Sequence, residues 1–112
     1  MQKFKPKYFG MGIEVNMLFE KNPQEFEGFV SFYNEIFSEI KKASPQTKVF
    51  TVFQLERLKG LRGGLFGETN NEQENDWQLI EKFDSDLIVF TSYPGLIYKN
   101  PEDIPQNYYS EI

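Results

Sequence analysis

The 112-residue chain contains no His and no Cys. Imidazole bases, thiolates and zinc–sulfur sites are therefore excluded, and acid–base work falls to carboxylates, Tyr or Lys. Three short stretches gather residues with that chemistry: Glu14 and Asn16, then Gln54, Glu56 and Arg57, then Ser92 and Tyr93. Amides and carboxylates accept from and donate to hydroxyls, and a Tyr ring offers an apolar face. Brought to one rim, this set suits a polyhydroxylated molecule. Glu14 stands out, because it lies in the apolar run Tyr8–Leu18 and an ionised carboxylate is costly there unless paired. Glu14 has two readings, a site group or a structural ion pair with Arg57 or a lysine. Glu56 and Arg57 can also be solvated loop charges, and Tyr93 before Pro94 can be a packing residue at a strand end.

The elements that must position these residues follow from patterning. The run Phe9–Val15 reads as a buried strand, with Gly10, Gly12, Glu14 and Asn16 on one face and Met11, Ile13, Val15 and Met17 on the other. A loop is expected over Phe19–Asn22. Asn22-Pro23-Gln24-Glu25 is a helix start, with Asn at the cap and Pro at the first position. Phe26, Phe29, Val30, Tyr33, Phe37 and Ile40 then recur at helical spacing up to Lys42. Lys48–Leu55 predicts a second strand and Asp86–Ser92 a third. A short helix is expected over Asp76–Phe83, where Trp77 can pack or stack, and another helical turn at Asn100-Pro101. Between them, residues 56–76 carry Gly60, Gly63, Gly64 and Gly67. That stretch reads as a lid, since it lacks the Lys-Ser/Thr ending of a phosphate loop.

Strand and helix alternate, and the strands are apolar on both faces. This predicts an α/β fold, a parallel βαβαβ arrangement within a single unit spanning 1–112. In such folds ligands bind at the C-terminal ends of the strands, where the three polar groups lie. The net charge of −5 argues against a nucleic-acid partner. No secretory signal or transmembrane run is read, which makes a cytoplasmic location the default expectation and a membrane partner unexpected. No metal or other cofactor is implied. A flavodoxin-like domain is disfavoured, because no phosphate-binding turn follows the first strand.

Gly12-Ile13-Glu14-Val15-Asn16 at a strand end, with Phe29, Tyr33, Ile40-Lys41, Ser44-Pro45 and Lys48-Val49-Phe50 after it, resembles the fourth-strand region of (β/α)8 glycoside hydrolases. The likeness is to the retaining clan that includes the arabinogalactan endo-β-1,4-galactanases. Phe83-Asp84 and Asp86–Pro94, closing on Ser92-Tyr93-Pro94, are similar to that clan's sixth strand. The resemblance implies that the chain is the middle of a TIM barrel, strands four to six, from a parent that hydrolyses or binds a polysaccharide. It makes Glu14 the general acid/base, with Asn16, Gln54, Glu56, Ser92 and Tyr93 lining a sugar cleft. The nucleophile of such enzymes ends a seventh strand, so the isolated chain is expected to be inactive. It is also expected to self-associate through open sheet edges. The family has Asn directly before the acid/base Glu, where this chain has Ile13. That difference favours an alternative, a non-catalytic carbohydrate-binding or protein-interaction module.

Overall fold

The computed structural model describes residues 6–109. Lys3 and Lys5 of the basic start, and Ser110–Ile112, lie outside the described residues. Strands β1 (Tyr8–Gly10), β2 (Lys48–Phe50), β3 (Val52–Gln54) and β4 (Val89–Thr91) alternate with helices α1 (Val15–Lys21), α2 (Pro23–Ala43) and α3 (Leu55–Lys59). Single turns of 3-10 helix follow, and a longer one spans Trp77–Lys82.

The fold is α/β with parallel pairing, as the alternation predicts. β1 pairs with β2, Phe9 opposite Val49, and β3 pairs with β4, Phe53 opposite Phe90. β2 and β3 are successive parts of one extended segment interrupted at Thr51. Along that segment Lys48 N and Phe50 O bond toward β1, to Lys7 O and from Met11 N. Val49 O accepts from Asp86 N on the opposite edge. The segment is therefore central, with β1 on one side and β4 on the other.

The two faces of this layer differ. Val49, Thr51 and Phe53 are buried. Val49 and Phe53 share a core with Phe26, Val30, Tyr33 and Ile40 of α2 and with Leu79 and Phe83. Phe83 is the hub of that core, its ring centroid 5.1 to 6.0 Å from those of Phe26, Phe29, Tyr33 and Phe53. Asn22 caps α2 by accepting from Glu25 N at 3.2 Å, and Pro23 begins it. On the other face Tyr8 is exposed, Phe50, Val52 and Val89 are half-buried, and none of the four joins either core cluster. The Phe50 ring lies over Gly10, where a Cβ would meet it at 2.7 Å.

Several expected boundaries are corrected. The first strand stops at Gly10 instead of reaching Val15, and Phe19–Lys21 is helix, not loop. Gly12 has φ 80° and Glu14 φ 53°, a left-handed turn that a strand cannot contain. The alternation assigned to residues 10–17 therefore fails: Ile13 is 77% exposed and Asn16 is 0% exposed. The second strand breaks at Thr51 and ends at Gln54, because Gln54 Oε1 caps α3 by accepting from Arg57 N at 2.8 Å. The third strand shortens to Val89–Thr91, and the expected helix at Asp76–Phe83 is 3-10. The glycine-rich stretch folds back on α3, through Asn71 N to Gly60 O, Gly63 N to Asn70 Oδ1 and Asp76 N to Leu58 O. Gly60 and Gly64 have positive φ, and a Cβ at either would strike backbone within 2.3 Å. These bonds tie the stretch to α3 at both ends, while its middle, with Leu65 80% exposed, stands in solvent. The turn at Pro101–Asp103 is present as 3-10 helix.

Candidate functional site

The C-terminal ends of the parallel strands bring the polar stretches together. Asn16, at the start of α1, continues the hydrogen bonding that β1 abandons. Its Oδ1 accepts from Gln54 N at 2.8 Å and its Nδ2 donates to Gln54 O at 3.0 Å. A side-chain amide thus replaces one residue of strand, the kind of local substitution that lets a helix begin beside a sheet edge.

Glu56 is 0% exposed and accepts from four donors. Oε1 takes Gln54 Nε2 and Tyr93 N, each at 2.8 Å. Oε2 takes Ser92 Oγ at 2.8 Å and the Tyr108 hydroxyl at 2.5 Å. A carboxylate bonded in this way can be buried without a cation beside it. The reading of Glu56 as a solvated loop charge is overturned, and so is the same reading of Arg57. The Arg57 guanidinium is almost enclosed, bonds Glu20 through Nε and Nη2, and stacks 4.8 Å from the Phe66 ring centroid. Hydrogen bonding to Glu20, against the pull of burial, holds Arg57 above its ordinary pKa. Arg62 extends the network to Glu20 and Asp76.

Among the described residues Glu14 pairs with neither Arg57 nor a lysine. Its Oε2 accepts from Thr91 Oγ1 at 2.6 Å. Because β1 and β4 flank the central segment, that bond crosses the tip of β3. Thr91 is the register partner of Gln54 and shares the face of Val52 and Val89, so Glu14 lies over that face. Glu14 is half-buried and is the one non-glycine residue with positive φ among those described. Left-handed backbone costs such a residue about 1–2 kcal/mol.

Of the six residues that the resemblance assigns to a sugar cleft, the structure joins Asn16 to Gln54, and Gln54, Ser92 and Tyr93 to Glu56. Glu14 reaches the same rim through Thr91. Asn16, Gln54 and Glu56 are buried with their polar atoms bonded to protein, whereas Tyr93 is 54% exposed. Sequence reasoning missed Thr91, Tyr108, Tyr109 and Lys59. Lys59 Nζ donates to Tyr108 O at 2.9 Å and lies 3.9 Å from the centroid of its ring. Burial, then the bond to Glu56, pushes the Tyr108 hydroxyl well above its ordinary pKa. Ser92 Oγ also bonds the Tyr109 hydroxyl at 2.9 Å. Thr91 was legible as the residue before Ser92-Tyr93, but Tyr108 carries no local signal.

Among the described residues no cluster of three or more Asp or Glu could hold a metal ion. No helix there is long and apolar enough to cross a membrane. Compared with family models, curated proteins and solved structures, the chain matches none.

Proposed function

We propose that the chain is a segment of a (β/α)8-type barrel whose rim serves a carbohydrate, with Glu14 as the acid/base of a retaining glycosidase-like parent. One observation carries this reading. A half-buried carboxylate sits in the turn after a parallel strand, in a strained left-handed conformation, over the sheet face that carries Val52 and Val89. Strain of this kind persists where the surroundings impose it, and it concentrates at functional sites. In a closed barrel the face carrying Phe50, Val52 and Val89 becomes the interior and the strand tips become the cleft. Retaining hydrolysis needs a second carboxylate about 5–5.5 Å away. Glu56, with both oxygens taken, is a poor nucleophile, so the chain alone is inactive.

The test is titration of the purified chain with β-1,4-linked galacto-oligosaccharides, followed by amide NMR shifts. Shifts concentrated at Glu14, Thr91 and Tyr93 are expected. Saturating sugar without rim shifts would overturn the reading. Turnover of an aryl galactoside that Glu14→Gln abolishes would overturn the inactivity. The open strand edges further favour self-association, and a monomer by sedimentation at high concentration counts against it.

The exposure of Ile13 favours the second reading, a non-catalytic carbohydrate-binding or interaction module. An apolar side chain stands in solvent beside the candidate acid/base, where a polar contact to a sugar hydroxyl would be useful. Under that reading Glu14→Gln leaves sugar affinity within about twofold, roughly the weight of one exposed hydrogen bond.

A further inference from the structure

We propose that Tyr109, joined to the rim through Ser92, is a stacking wall for a pyranose ring; this rests on the carbohydrate reading of that rim. Half-exposed tyrosines usually bury the ring and leave the hydroxyl to water. Tyr109 instead has its hydroxyl tied to protein. Its hydroxyl is fastened to Ser92 Oγ at 2.9 Å while the residue stays 54% exposed. Its ring is set perpendicular to that of Tyr108, with centroids 5.0 Å apart. Tyr108 is itself locked to Glu56 and Lys59.

The result is an apolar surface held in place at both ends before any ligand arrives. Little side-chain freedom is left to lose on binding, which makes such a ring an effective platform. Ser92 bonds both Glu56 and Tyr109, and Tyr93 follows it with a ring of equal exposure. An accessible aromatic ring thus stands against one fixed hydroxyl at the strand tip. The C–H face of a pyranose matches an aromatic ring and its hydroxyls match the polar rim, so the ligand class is a short oligosaccharide with an accessible apolar sugar face.

The test uses the full 112-residue chain with β-1,4-galactotetraose as probe. Tyr109→Ala is expected to weaken binding about tenfold, while Tyr109→Phe, which keeps the ring and loses the Ser92 bond, stays within about threefold. Saturating the ring protons of Tyr109 in the unaltered chain should transfer magnetisation to the sugar, a readout independent of how any variant folds. Rim shifts at Glu14 and Thr91 without that transfer, or with undiminished affinity in folded Tyr109→Ala, overturn the stacking wall and leave the carbohydrate reading standing. Absence of rim shifts in the unaltered chain overturns both.

Discussion

Glu14 follows β1 by four residues and Glu56 follows β3 by two, and their surroundings are opposite. Glu56 accepts from four donors and is shut away from water, whereas Glu14 accepts from one, in a backbone conformation that disfavours it. The first carboxylate holds the rim together. The second is held by the rim at a cost. Two glutamates that both follow strand ends thus differ in how far the protein saturates them, and the difference lies in donor count and backbone strain.

The contrast is broken most directly by removing each group. Glu56→Ala leaves Tyr108, Ser92, Gln54 and the Tyr93 amide without their acceptor inside the protein. Buried donors without partners cost roughly 1–3 kcal/mol each before relaxation. With relaxation and water entry, the expected loss in denaturant unfolding is about 3–5 kcal/mol. A loss under 1 kcal/mol would mean that the four bonds contribute little. Asn16→Ala comes next, at about 2–3 kcal/mol, because it unpairs both the amide and the carbonyl of Gln54. An unchanged midpoint there would show that the strand edge does not need its side-chain substitute.

The parts legible in the sequence are those decided locally. Asn22-Pro23 marks the start of α2, the stripe from Phe26 to Ile40 marks its buried face, and the doubly apolar strands announce parallel pairing. The left-handed turn at Gly12–Glu14 was hidden because Met11, Ile13 and Val15 look like a strand when only apolarity is counted. The turn that ends β1 is followed by two bonds between Asn16 and Gln54, 38 residues away, and no local pattern encodes them. Glu56 read as a loop charge for the same reason, since its partner Tyr108 lies 52 residues on. Gathering the polar stretches at one rim needed only parallel strands. Which of those residues are saturated needed coordinates.

Glu14→Gly should move stability in the opposite direction from Glu56→Ala. It forfeits one hydrogen bond but removes the left-handed penalty, so a gain of about 0.5–1 kcal/mol in unfolding free energy is expected. The same change should abolish the acid/base role in any active parent, the exchange of stability for function expected of a strained site. Destabilisation by 1 kcal/mol or more would make Glu14 a second structural group and remove the contrast.

The smallest effect lies at the other end of β4, in a third carboxylate. Asp86 Oδ2 accepts from Val49 N at 2.8 Å and from Lys41 Nζ at 3.0 Å. Burial pulls its pKa up, but the Val49 amide and the Lys41 ammonium outweigh it and hold the carboxyl below its ordinary 3.8. A carboxyl whose folded pKa is depressed stabilises the fold above its unfolded pKa, and that contribution is lost as pH falls through the folded one. Stability should therefore be level above about pH 5 and fall below about pH 4. Asp86→Asn should remove one component of that fall. The side chain keeps 21% of its surface open, so solvent screening limits the contribution to under about 1 kcal/mol. Unfolding midpoints at pH 7 and pH 3 measure it: the difference between the two pH values should shrink in Asp86→Asn. An unaltered difference would assign the acid sensitivity to other carboxylates and leave Asp86 with only its backbone bond to Val49.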